Sequence, residues 1–180
     1  MASEGRNVGR DSELTSPIRV FAYGSNLCQG LMVARVPSAR VVGVGKLSGY
    51  ALRFHKRSRD GSAKANARAT EILTDQVWGV VYEISNREIG RLDKADGQGY
   101  HRCELQVSMG KTGLVSAFIY IAHPDAIDGG LKAYAWYKRL VVEGARKHGL
   151  PPSYVESLEA IEAVEDPDSA RDRKEQAQVC

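Results

Sequence analysis

The chain is poor in cysteine, has no long apolar run and carries no metal-ligand pattern, and each shortage removes a class of protein. Three cysteines, Cys28, Cys103 and Cys180, stand far apart in 180 residues and are odd in number. Neither a disulfide framework nor a zinc pattern follows from them. Cys28 reads as an inert, half-buried thiol rather than a nucleophile. His55, His101, His123 and His148 lack ligand-like spacing, so no metal site is expected. No stretch approaches the ~20 apolar residues of a membrane helix. Met1 to Ser16 has no apolar centre, so no secretory signal is expected and a reducing, cytoplasmic setting follows. Charge of one sign is scarce too: 25 Lys and Arg against 22 Asp and Glu leave a net charge of +3, which speaks to solubility more than to partners. The basic run His55-Lys56-Arg57-Ser58-Arg59 beside Phe54 reads as a solvated turn, not a nucleic-acid contact. Gly43-Val44-Gly45-Lys46 matches neither the dinucleotide fingerprint nor the P-loop.

What is present is the composition of one soluble globular domain, 43% hydrophobic and 26% charged. Residues 1–16 mix polar types without periodicity and are expected to be a disordered lead-in. Residues 17–164 form the domain, and 165–180 a charged, flexible tail. Strands are expected at Ile18–Tyr23, Ala39–Leu47, Tyr50–His55, Arg68–Leu73 and Val77–Ile84. A polar loop with an Asp-Gly turn spans Lys56–Ser62 and should flank the pocket mouth. Leu27–Val36 is a short helix stopped by Pro37, and Ser85 with Glu88 has capping-box spacing for a helix ending at Gly97. Tyr100–Met109 and Leu114–Ile121 read as a hairpin, followed by helices at Leu131–His148 and Ser153–Ile161. Strands first and helices last indicate an α+β fold, in which six or seven strands curl into a small barrel with helices packed around it.

Two places carry chemistry. Val20 to Tyr23 is strand-like, and Gly24-Ser25-Asn26 then opens a helix near Leu27. A strand entering a helix this way presents free backbone N–H groups at the positive end of a dipole, suited to a carboxylate or an oxyanion. Ser25 lacks the surroundings of a nucleophile elbow. The second place is Leu92-Asp93-Lys94-Ala95-Asp96-Gly97, two acids near a helix C-terminus. Partial burial there raises a carboxyl pKa, as general acid–base work requires. Asp93 reads as a surface acid or a local structural hydrogen bond; Asp96, at the turn before Tyr100, is the candidate.

Tyr23-Gly24-Ser25-Asn26-Leu27, Val77-Trp78-Gly79-Val80-Val81-Tyr82, Leu92-Asp93-x-x-Asp96-Gly97 with Tyr100, and Gly144-Ala145-Arg146-Lys147-His148-Gly149-Leu150-Pro151 together resemble the γ-glutamylcyclotransferase family, related to AIG2-like proteins. The resemblance runs from about Phe21 to Ile161. It implies a small mixed barrel and an enzyme, a lyase of acyl-transfer type, that cyclises a γ-glutamyl amide to 5-oxoproline and releases an amine or amino acid, in glutathione metabolism. It implies no metal and no organic cofactor, a small-molecule partner rather than nucleic acid or membrane, and leaves a homodimer open. Asp96 takes the catalytic position, while Tyr23, Gly24, Ser25, Asn26, Leu27, Tyr100 and Tyr137 fall in substrate-binding positions. One departure is that the family's acid is typically Glu. Asp96 is one methylene shorter, a retraction of roughly 1.5 Å, and a misplacement of about 1 Å can cost on the order of 100-fold in rate. The rival expectation is a non-catalytic binding module for a γ-glutamyl or acidic small molecule on the same fold.

Overall fold

The computed structural model describes residues 16–180; except for Ser16, the expected N-terminal lead-in lies outside the described residues. β1 (Pro17–Ala22) begins exposed and ends buried, delivering the chain into the interior just before Gly24. The following strands are β2 (Arg40–Ser48), β3 (Tyr50–Arg57), β4 (Ala63–Ala69), β5 (Gln76–Ser85), β6 (Tyr100–Ser108) and β7 (Leu114–Ala122). Five of them close a barrel in the order β1-β5-β2-β6-β7, while β3 and β4 form a separate hairpin. The apolar β5 is central, pairing with β1 through Phe21↔Val81 and with β2 through Val44↔Val80. Phe21, Val80, Val81, Tyr82 and Ile119 fill the interior with almost no exposure.

The helices are α1 (Gln29–Arg35), α2 (Ile89–Asp96), α3 (Ala135–Lys147), α4 (Pro152–Glu159) and α5 (Ser169–Gln176). Buried Tyr137, Leu140, Val141 and Ala145 form the inward stripe of α3. No helix among the described residues is long and apolar enough to cross a membrane.

The barrel closes with five strands rather than the expected six or seven, because among the described strands β3 and β4 pair only with each other, and four local expectations change. The strand expected at Arg68–Leu73 lies earlier, at Ala63–Ala69, where it pairs with β3 from Arg57↔Ala63 to Tyr50↔Ala69. Alanine has little strand preference of its own, so the hairpin partner decides that strand. The Ser85–Glu88 capping box is absent: Ser85 makes no side-chain cap bond, and Glu88 instead accepts the Ser38 amide at 2.9 Å. The long helix starts at Ala135 rather than Leu131, because Ala133–Tyr134 pairs as strand β8 with β9 (Ala163–Val164).

The fourth change is the C-terminus, expected to be a frayed tail. Asp166 is buried, accepts the Trp136 indole N–H at 2.9 Å and binds Arg171 at 2.5 and 2.6 Å. Those Arg171 bonds hold its carboxyl well below the usual carboxylate range. Asp168 caps α5 by accepting the amides of Ala170 and Arg171. Arg139 donates to the carbonyls of Glu175, Gln176 and Gln178, and Lys147 to that of Cys180. Cys180 is disulfide-bonded to Cys28 across 152 residues, leaving Cys103 as the free thiol. Cys28 is therefore not the inert thiol expected; no local pattern links it to a residue that far away. Denatured without reductant, the protein should titrate one thiol, and three after reduction; three in both conditions would show that the bridge does not form. The Cys180→Ser protein should lose up to about 5 kcal/mol, the scale of closing a loop of that size.

Candidate active site

The strand-to-helix junction and α2 meet at one end of the barrel. After β1, Gly24 leads into a single helical turn, Ser25–Leu27, whose first amides have no intrahelical acceptor. α2 ends against Gly97, which adopts φ +77 and turns the chain into β6. A left-handed φ of this kind suits glycine, so α2 stops there and Asp96 becomes its last residue. Asp96 and Tyr100 then straddle the turn.

Two adjoining cavities share Ser25, Asp96, Tyr100 and Tyr137 as their common wall. The inner one, about 40 Å³, is also lined by Tyr23, Gly24, Asn26, Ala65 and Tyr120. That is space for roughly three waters, or for the polar end of a small ligand. The outer one, about 200 Å³, adds Arg35, Lys56, Lys64, Trp136, Leu140 and Glu175.

Asp96 sits where the cavities meet. Its side chain is 16% exposed, and burial pushes its pKa up to about 6 against the opposing pull of Arg35 and of the Asn26 hydrogen bond. Asn26 donates its amide N–H to both carboxylate oxygens at 3.2 and 3.4 Å, and Arg35 lies 4.0 Å away. Arg35 also donates to Asn26 Oδ1 at 2.6 Å, which fixes that amide with its NH2 toward Asp96. Asp93 is differently placed: it accepts Tyr120 at 2.7 Å and Arg102 at 2.9 Å, a structural acid outside the cavities.

The tyrosines are held by backbone. Tyr23 donates to the Tyr120 carbonyl, and Tyr100 to the Ala65 carbonyl at 2.5 Å. The Ala65 amide donates to the Tyr137 hydroxyl at 3.1 Å. The alanines of β4 leave the volume that these rings occupy. Burial raises all three phenol pKa values, that of Tyr137 to about 12, so they remain neutral donors. A Cβ on Gly24 would lie 3.0 Å from the Tyr137 hydroxyl and 3.3 Å from Ala65 Cβ. Among the described residues no three His, Cys, Asp or Glu side chains converge as a metal site requires.

Comparison with known proteins identifies the family and agrees with the fold. The AIG2-like family model matches residues 76–158. The γ-glutamylcyclotransferase of Mus musculus is 31% identical over 153 residues, covering 81% of this chain and 79% of that one. The chain belongs to the γ-glutamylcyclotransferase family. The Homo sapiens γ-glutamylcyclotransferase is 30% identical over 150 residues, 79% of this chain and 77% of that one. A solved γ-glutamyl cyclotransferase structure superposes with a TM-score of 0.74 at 26% identity, over 88% of this chain and 99% of that one.

Of the residues expected at a γ-glutamylcyclotransferase-type site, Tyr23, Gly24, Ser25, Asn26, Asp96, Tyr100 and Tyr137 line the cavities. Leu27 does not: it is fully buried under α3, where Gly144 lets the backbones approach. Sequence reasoning missed Arg35, Lys64, Trp136 and Glu175, and it placed Lys56 in a solvated loop. The structure puts Lys56 in β3 at 5% exposure. A bulge in the β3–β4 ladder between Phe54 and Lys56 turns that side chain inward, a register effect that no composition pattern reveals.

Proposed function

We propose that this chain is a cofactor-independent γ-glutamylcyclotransferase that converts a γ-glutamyl amide to 5-oxoproline and a free amine or amino acid, with Asp96 as general acid–base. The observation that carries the reading is a half-buried carboxyl, pKa about 6, at the junction of a small polar cavity and a larger one. The inner cavity takes the glutamyl head group, with the Gly24–Asn26 amides and the tyrosine hydroxyls around it. The outer cavity takes the leaving group.

In the reaction the substrate's α-amino nitrogen attacks its own γ-carbonyl carbon. The new C–N bond closes the five-membered ring, and the carbonyl oxygen becomes an oxyanion facing N–H donors. Ionised Asp96 accepts a proton from the attacking nitrogen. It returns that proton to the amide nitrogen as the original C–N bond breaks. A carboxyl with pKa near 6 is mostly ionised at pH 7 yet still a competent acid, which one group performing both transfers needs. Asn26 and Arg35 hold the carboxylate in place between the two transfers. Water is not consumed and no external oxidant or metal is required for atom balance.

The test is 5-oxoproline release from a panel of γ-glutamyl amino acids and γ-glutamyl amines. Release by the parent protein, and its loss in Gly24→Val with the fold retained, is the expected result. The valine side chain would enter the space between Tyr137 and Ala65. No release from any compound in the panel, with 5-oxoproline still bound by the parent, would favour a binding module on the same fold.

A further inference from the structure

The outer cavity holds a buried lysine that takes no part in the proton transfers of cyclisation, although its charge favours ionised Asp96. Lys56 is 5% exposed, and its Nζ lies 4.6 Å from the centre of the Tyr100 ring, the ring shared by the two cavities. Among the described residues no carboxylate oxygen comes within 4.0 Å of that ammonium and no hydrogen-bond acceptor engages it. The other cations of the cavity are committed. Arg35 is bound to Asn26 beside Asp96, and Lys64 is paired with Asp60 at 2.8 Å while lying over Trp136 and Tyr137.

This arrangement costs stability. Lys56 and Lys64 are direct partners across the β3–β4 ladder, and like charges placed opposite one another repel. Burial, and then Lys64, lower the pKa of Lys56 against the opposing pull of Asp96 and Asp60, and a buried cation with no carboxylate in contact is unfavourable. The backbone nevertheless makes room for it. Gly99, at φ +91, stands where a Cβ would lie 2.9 Å from Lys56 Cε. The bulge aims the side chain, the glycine clears its path, and no carboxylate of the described residues contacts its end.

We propose that Lys56 is a specificity-determining residue: the outer cavity selects leaving groups that carry a carboxylate, whose oxygen completes the coordination of the Lys56 ammonium. This rests on the cyclotransferase reading for the orientation of the substrate, with the scissile amide at Asp96 and the leaving group on the Lys56 side. An uncharged amine leaves the lysine unpaired and is bound weakly. The carboxylate can be the α-carboxylate of a leaving amino acid or one on its side chain, since the ammonium is a point charge and both present the same chemistry.

The test uses three ligands: γ-glutamylalanine, its α-amide, and γ-glutamyl-(glutamic acid α-amide), whose leaving group carries a side-chain carboxylate alone. Affinity is measured by calorimetry, and 5-oxoproline release is followed in parallel. The parent is expected to bind at least one carboxylate-bearing ligand about 10-fold or more tightly than the neutral amide, the lower range for a hydrogen bond to a charged group. Which of the two acids it prefers identifies the source of the anion. Lys56→Met should shrink that ratio to within about 3-fold without weakening the neutral amide, whereas Lys56→Arg should keep a preference. Parent protein that binds all three ligands equally, or none of them, overturns the proposal without reference to any variant. Release of 5-oxoproline without a charge preference would overturn the Lys56 assignment and leave the cyclotransferase reading standing. A preference abolished in Lys56→Met, with no 5-oxoproline formed from any ligand, would sustain the anion site and reject the cyclotransferase reading.

Discussion

Asp96→Asn is expected to lower cyclisation by at least about 100-fold, the low end for a positioned acid–base group, while making the protein more stable at neutral and alkaline pH. Both effects come from the same burial. The carboxyl pKa is raised from 3.8 to about 6 in the folded protein. A carboxyl raised in this way favours the fold fully below the unfolded pKa, and that contribution is lost as pH climbs through the folded pKa. Above pH 6 the ionised Asp96 therefore costs on the order of 3 kcal/mol relative to its protonated form, at 1.36 kcal/mol per pKa unit. Asparagine escapes that cost. Thermal melts should show the variant more stable than the parent at pH 8 and nearly equal to it at pH 4. The parent's kcat/KM should fall on the acid side with a midpoint near pH 6, as the base form is lost. Full turnover in Asp96→Asn would remove the assignment; an unchanged melting temperature at pH 8 would show that the carboxylate is better solvated than its burial implies. Asp96→Glu adds the methylene that the family typically has. Activity retained or raised would mean that the backbone tolerates either reach, and activity lost would mean that the site is shaped to the shorter acid.

Gly144→Ala is expected to destabilise the protein by about 2–3 kcal/mol, the upper range for overpacking, and to displace the 24–28 loop. A Cβ at Gly144 would lie 2.4 Å from the carbonyl carbon of Leu27 and 2.6 Å from both the Leu27 oxygen and the Cys28 nitrogen. These are backbone atoms, which cannot rotate away as a side chain would. α3 would have to move off the loop, and Tyr137, on the same helix, would move with it. A fall in Tm of about 5–10 °C follows for a domain of this size, together with weaker ligand binding. Gly90→Ala is the control: it lies in α2 with nothing within 4 Å of its added carbon, so it should raise stability by up to about 1 kcal/mol. If Gly144→Ala melts with the parent, the close approach of α3 is not what holds the loop.

What the chain alone determined was local. The β1-to-helix junction at Gly24–Asn26, the end of α2 at Gly97, the β6–β7 hairpin and the inward face of α3 all follow from periodicity and turn chemistry over a few residues. The place of Asp96 at the end of α2 was legible for the same reason, because a carboxyl at a helix end before a glycine turn is a short-range pattern. Tertiary structure decided the rest, through contacts between distant residues. It closed the barrel with five strands rather than six or seven and set β3–β4 apart as a hairpin. It used a bulge to carry Lys56 from an expected surface loop to the wall of a cavity, and a cross-strand partner to make a strand of alanines. It placed Arg35 against Asn26 so that both reach Asp96, 70 residues from Asn26 in sequence. It bound the last residues to α3 and to Cys28, although their charged composition reads as solvated chain. In each case the deciding quantity was a register or a separation in space, set by how the elements pack, to which hydrophobic pattern and residue type are blind.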